Sequence, residues 1–309
     1  MLARGSVESP GPVAPPGALS CVTGLKSHFD LPPSAPEGQR RAAFAQWVTD
    51  PNNMLAWRSI VNRVWHYHFG VGLVDSPNDF GHMGSLPSNP ELLDWLAVDF
   101  RDHGGSFKRL HKLIVMSAAY RHSSAGNREN EAKDADNRFL WRANRQRLDA
   151  ESLRDSLLAI SGKLDLTMGG PSVEQFFFKD DHSPVYDYSR YDPDAPGNYR
   201  RSVYRFLVRS VPDPLMERFD CPDVSMITAK RTTTITAIQA LALMNNPFVL
   251  KQVEHLTDRI TDVASAYRLI LQREPSDKEL QILTPYLARE GPQNLCRLLI
   301  NTNEFLFVD

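Results

Sequence analysis

Apolar positions recur along most of this chain at helical spacing. A first helix is predicted over residues 40–48, stopping near Asp50-Pro51, because proline disfavours helix in the residue before it. A second runs over residues 53–69, where Trp57, Val61, Val64 and His68 follow the i, i+4, i+7, i+11 spacing of one face, and Gly70 and Gly72 close it. The segment 75–81 (Asp-Ser-Pro-Asn-Asp-Phe-Gly) is dense in turn formers. Asn89-Pro90 reads as the N-cap and first residue of a third helix, with Ser88 and Glu91 offering a competing capping box. Its stripe is Leu92, Leu93, Leu96, Ala97 and Phe100; Gly104-Gly105 ends it, and Ser106 caps a fourth helix bearing Leu110, Leu113 and Ile114.

After a polar break at 123–136, a helix is predicted over 149–160. Residues 164–231 change character, being rich in Gly, Pro, Tyr and Asp, with two strand-like pieces at 173–178 and 202–208. Helices return from Thr236, and Ser276 with Glu279 forms a capping box after Pro275. The expected fold is mainly α: a multi-helix globular domain over 39–309, with N-terminal helices (39–163), a loop-rich insertion carrying a small β element (164–231) and C-terminal helices (232–309). Residues 1–38 hold Pro10, Pro12, Pro15, Pro16, Pro32, Pro33 and Pro36 among few periodic apolar positions, and read as a linker or remnant of a preceding domain. The last residues are apolar almost to the end, as in a docked terminus, so the chain is expected to be the C-terminal part of something longer.

Charge narrows the possibilities. The 309 residues balance 35 basic against 37 acidic side chains, which leaves no electrostatic footprint for nucleic acid. No apolar run is long enough to span a membrane, and no signal peptide is visible. Cys21, Cys221 and Cys296 lie far apart with no C-x-x-C, so no zinc or covalent haem site is expected within this chain.

Several local patterns invite chemistry. Asp79-Phe80-Gly81 matches the magnesium-holding triplet of kinases, but the rest of that signature is missing, and a turn with Asp79 bonded to its own backbone is expected instead. Gly169-Gly170 lacks the P-loop lysine and reads as a tight turn. His66 and His68 do not share a helix face. His68 lies on the apolar stripe and is expected to be a satisfied core histidine, with metal or haem ligation as the alternative. The alternating Arg145, Arg147, Asp149, Glu151, Arg154 and Asp155 read as an exposed, salt-bridged helix start, or alternatively as an anion site. The stretch 182–209 interleaves five tyrosines with five arginines, a composition that suits a sugar, a protein interface or plain loop packing. Tyr186, Tyr188, Arg200 and Arg201 are its ligand-binding candidates.

Taken together, residues 62–70 (Asn-Arg-Val-Trp-His-Tyr-His-Phe-Gly), 72–81, 90–97 (Pro-Glu-Leu-Leu-Asp-Trp-Leu-Ala), Arg147-Leu148-Asp149-Ala150-Glu151 and Gln239-Ala240-Leu241 resemble the planctomycete PSD-one family, a domain of unknown function. Against the family's pattern, His66 stands where glutamine is frequent, Asn89 where histidine is common and Ala237 where proline is common. The resemblance implies a C-terminal module of a large exported protein, periplasmic or on the cell surface, beside a preceding domain and often a cytochrome c domain, with haem in that partner. The resemblance transfers no catalytic residue, and a structural or interaction role is expected instead from the linker-like first residues, the ordinary helical core and the absence of any complete nucleophile, metal or phosphate set in the sequence. The rival expectation is a polysaccharide-acting enzyme with its site between the second helix and the Asp79 loop, open toward the Tyr/Arg stretch. Asp79 would there be acid or base, with Arg63, His68 and Asn78 orienting substrate.

Overall fold

A computed structural model describes residues 3–308. The chain divides into two compact units, one ending at Asn144 and the other beginning at Arg145. The fold is mainly α, with only small two-stranded sheets among the described residues.

The first unit contains α1 (Glu37–Val48), α2 (Met54–Phe69), α3 (Pro90–Asp102), α4 (Phe107–Val115) and α5 (Arg128–Lys133). Each central helix begins where a side-chain acceptor meets its first free amides. Asn53 accepts from Ala56 N at the head of α2, Asn89 from Leu92 N at α3, and Ser106 from Arg109 N at α4. Asn89 is therefore the cap of α3, and not Ser88. Gly70 ends α2 in the left-handed region (φ 76°), a conformation that costs glycine little. The α2 stripe buries Val61, Val64, Trp65 and Phe69 against Leu93, Leu96 and Phe100 of α3 and Leu110 and Ile114 of α4. Trp57 and His68 stand only half-buried at the two ends of that stripe.

The second unit opens with β1 (Gln146–Arg147) and α6 (Ala150–Ser161), then the hairpin β2 (Phe177–Lys179) and β3 (Val185–Asp187). There follow α7 (Pro214–Arg218), α8 (Ala237–Asn245), α9 (Pro247–Thr257), α10 (Val263–Ile270), α11 (Asp277–Ile300), α12 (Asn303–Leu306) and β4 (Phe307–Val308). β4 returns to pair antiparallel with β1 (Gln146 opposite Val308), which ties the last residues to the start of the unit. The core joins Leu153, Leu157 and Leu158 of α6 to Val249, Val253 and Leu256 of α9, Ala266 and Ile270 of α10, and Leu295 and Leu299 of α11. The Ser276–Glu279 capping box forms as its spacing predicts, and Arg273 holds the same Glu279 carboxylate with a second guanidinium bond.

Two local expectations are corrected. Residues 202–208 are not a strand: Ser202–Tyr204 is a 3-10 turn, and the neighbouring chain makes only isolated parallel bridges, Asp165 to Arg200 and Val173 to Arg205. Its backbone groups are taken by side chains instead, since Asp155 accepts from Ser202 N (2.8 Å) and Arg154 donates to the carbonyls of Asn198 (2.5 Å) and Arg200 (3.0 Å). The start of α6 is likewise not an exposed ion-pair ladder. The Arg147 and Arg154 side chains are 4% and 3% exposed, and both point inward.

Candidate functional site

In the first unit, the segment leaving α2 is held by Asn62, whose buried amide donates to Val74 O (2.9 Å) and accepts from Val74 N (2.8 Å). Beyond it the Asp79 loop is closed by its own polar groups. Asp79 Oδ1 accepts from Gly81 N at 2.9 Å, while Ser76 Oγ donates to Asp79 O at 2.7 Å and accepts from Ser85 N at 2.8 Å. Phe80 packs on the core, the turn that its residue types predict. Arg63 of α2 donates to Asn78 Oδ1 at 2.6 Å, which brings Arg63 against the loop that carries Asn78 and Asp79. His68 is not among them. It follows Arg63 by five positions on α2, about 140° around the axis. Its Nε2 meets His111 Nδ1 of α4 at 2.7 Å, with the Tyr120 ring edge-on to it.

In the second unit the four ligand-binding candidates part company. Arg200 is a staple. Its guanidinium donates to the carbonyls of Pro171 (2.9 Å), Thr167 (3.2 Å) and Gly169, and stacks 3.8 Å from the Tyr204 ring, whose hydroxyl accepts from Gly169 N. The two glycines sit at φ 81° and 82°, so this is the tight turn that the sequence suggests. Arg201 is exposed. Tyr186 packs its ring against Phe176 and Phe178. Of the four, only Tyr188 lines a cleft.

That cleft is one of an adjoining pair of about 270 and 350 Å³, which share Tyr188, Asp213 and Met216. The smaller is walled by Arg205, Phe206, Val208 and Cys221; the larger by Arg154, Gln175, Tyr191 and Phe248. Asp213 caps α7, accepting from Leu215 N (2.8 Å) and Met216 N (3.1 Å), and receives Arg205 at 2.6 Å, while Arg205 also donates to Gln175 at 2.6 Å. Arg154 lies behind the larger cleft with its guanidinium 5.2 Å from the Phe248 ring. Burial lowers the Arg154 pKa from its ordinary value, and burial pushes the Tyr191 hydroxyl up to about 12 despite the pull of Arg154. Tyr188 is raised by burial and by the charge of Asp213, so both phenols are protonated hydrogen-bond groups at neutral pH.

Tyr191 and Arg205 belong to the Tyr/Arg stretch but were not its chosen candidates. Arg154, Gln175, Asp213 and Phe248 lie outside or at the margin of it. One signal for Arg154 was available, because it stands four residues after Ala150 and four before Leu158, on the apolar side of α6. Partly buried Cys221 donates its thiol to Glu151 Oε1 at 3.8 Å, and burial raises its pKa, which keeps it a thiol. Among the described residues no three His, Cys, Asp or Glu side chains gather as a metal-ligand set.

These clefts have aromatic and aliphatic walls with a few converging polar groups, the general character of a small-ligand site. Asp213, their one shared carboxylate, is already tied by an arginine and two backbone amides, a state that suits positioning better than proton transfer. The molecule is thus a mainly helical protein of two units with a ligand-sized double cleft in the second. Residues 40–287 match the model of PSD1, described as a protein of unknown function (DUF1553), and the chain belongs to that family. No curated protein and no solved structure matches it significantly.

Proposed function

We propose that this chain is a binding module whose double cleft holds an extended, polar ligand with apolar faces, of the type of a glycan chain, without turning it over. The observation that carries this reading is the meeting of two clefts at Tyr188, Asp213 and Met216, which sets two hollows lined by rings and fixed charges side by side. Rings take the flat apolar face of a sugar, while Gln175, Arg205 and the phenols orient its hydroxyls. The same proposal places the module within a larger exported protein, next to a preceding domain and a cytochrome c domain that carries the haem. The resemblance in sequence supports that part, and a covalent-haem stain of the native gene product in a periplasmic fraction tests it.

Calorimetric titration with soluble oligosaccharides of β-glucan, xylan, chitin and pectin type tests the cleft. At least one series is expected to bind, and Tyr188→Ala to weaken that binding tenfold or more, the loss expected of a central aromatic anchor, about 1.4 kcal/mol. Asp79→Ala is expected to leave it unchanged. Release of new reducing ends would overturn the non-catalytic part, and silence across the panel would overturn the glycan part. Loss of binding in Asp79→Ala would return the site to the first unit, as the enzyme reading with Arg63, Asn78 and His68 requires.

A further inference from the structure

A second site is carried by the first unit and rests on none of the cleft's residues. We propose that His68 and His111 form a two-histidine chelate for a borderline divalent transition-metal ion of the copper, nickel or zinc type. Water, or a group from a bound partner, would complete the coordination.

The geometry points there first. His68 Nε2 and His111 Nδ1 approach to 2.7 Å across α2 and α4. Two imidazole nitrogens bound to one ion at about 2.0–2.1 Å stand roughly 2.9–3.4 Å apart, from square to tetrahedral angles. The pair therefore needs to open by a few tenths of an ångström, and because the ring centroids are 5.0 Å apart with the nitrogens nearly head-on, each ring must also turn by roughly 35–45° for both lone pairs to converge on one ion. Tyr120 meets the His68 ring edge-on at 5.5 Å and the Phe69 ring at 6.0 Å, so one side of the His68 ring is packed. His111 is exposed, so an ion and its water can reach the pair from solvent.

Electrostatics favour a cation at this place. His68 lies in the last turn of α2, where the unpaired carbonyls at the helix end carry partial negative charge. Its partial burial, with the nearby His111 ring adding to it, lowers its pKa and keeps it in the neutral form that a metal requires. In the pair as it stands, one facing nitrogen carries a proton and the other accepts it. A neutral imidazole has one proton for two nitrogens, so moving that proton to the distal nitrogen frees both facing lone pairs. No net proton is released above the histidine range, and acid weakens binding below it.

Imidazole selects copper, nickel and zinc over magnesium and calcium, and among them copper binds tightest. The test uses the full chain titrated with copper(II) and nickel(II), followed by calorimetry and, for copper, by electron paramagnetic resonance. One ion per chain is expected, with two nitrogens in the copper spectrum, and with magnesium and calcium inert. His68→Ala and His111→Ala should each weaken binding at least tenfold, whereas His103→Ala should not. Because His111 is exposed, His111→Gln serves as a variant whose fold is unaffected, checked by circular dichroism. Binding within twofold of the parent in both His111 variants, or a copper spectrum with a single nitrogen, would overturn the assignment.

Discussion

Arg154→Met is the sharpest test of how the second unit is held together. The arginine is 3% exposed and donates to Asn198 O at 2.5 Å, Arg200 O at 3.0 Å, Asp155 at 3.3 Å and Ser202 Oγ at 3.4 Å. Methionine preserves much of the stem and its packing on Phe248, so the cavity left behind is small. What is lost is polar. Two carbonyls lose their donor, about 1–3 kcal/mol each where no water replaces it, and Asp155 loses a buried cation. Asp155 keeps its bonds from Ser202 N and Oγ, which limits that last loss. A total of about 3–5 kcal/mol follows, in line with breaking other buried charged networks, and large beside a typical domain stability of about 5–15 kcal/mol. Arg154→Lys keeps the charge but not the planar fork, and is expected to recover less than half of the loss. Denaturant unfolding followed by far-ultraviolet circular dichroism reads the change. Trp47, Trp57, Trp65, Trp95 and Trp141 all lie before residue 145, so tryptophan emission supplies a separate report on the first unit. Hydrogen exchange should rise in peptides covering 150–161 and 196–206. Stability within about 1 kcal/mol of the parent, a small change by the measure of buried networks, together with unchanged exchange, would refute the reasoning.

Two further outcomes follow from local geometry. A Cβ at Gly72 would stand 2.5 Å from Val74 O and 2.8 Å from both polar atoms of the Asn62 amide, so Gly72→Ala is expected to break that clamp and cost about 2–4 kcal/mol in thermal or urea unfolding; a neutral result would refute the close approach. Asp194 is held well below the ordinary 3.8, to about 2, by hydrogen bonds from Tyr199 and His255 and by Lys251. A lowered folded-state pKa contributes stability that is complete above the unfolded value and is lost as pH falls through the folded one. Asp194→Asn should therefore lower the urea midpoint at pH 6, and that difference should shrink as pH falls from about 4 towards 2; a difference undiminished at pH 2 would contradict the assignment.

Several helix starts were legible from a capping side chain at its required offset, though not that of α5, which Asn127 caps inside the expected polar break. Asn53, Asn89, Ser106, Asp149 and Ser276 each cap the helix that follows, because capping is a bond between residues two or three apart and short-range sequence contains both partners. Arg63 and Asn78, fifteen positions apart, meet because the chain turns back along α2 after Gly70. His111 had no such route, since it meets His68 across 43 positions through the crossing of two helices. The interior of 164–231 was hidden for a related reason. Its composition announces loops, but the groups that shape it, Arg154 and Asp155, sit on α6 more than forty residues before their partners. Alternating charge at the start of α6 suggests a solvated face, and nothing in that alternation reveals that two of its arginines turn inward.

The loop-rich part also explains why charged groups crowd a cleft that need not be catalytic. Ordering each residue of a backbone costs about 1–2 kcal/mol of entropy, and a ladder of strands normally repays this with regular hydrogen bonds. Here the only strands between 164 and 231 are the short β2 and β3. Arginine forks replace the ladder: Arg200 ties three carbonyls, Arg154 two, and Arg205 links Gln175 to the capping carboxylate of Asp213. A chain fixed at scattered points in this way is irregular between them, and the hollows it leaves are the clefts. The charges on their walls are then largely committed to the fold. Ligand energy has to come from the uncharged ring faces, above all that of Tyr188, whose ring also packs edge-on to Phe176 and whose hydroxyl donates to Val211 O at 3.4 Å. Substitution at Arg205 or Asp213 should consequently lower stability and binding together, while substitution at Tyr188 separates the two.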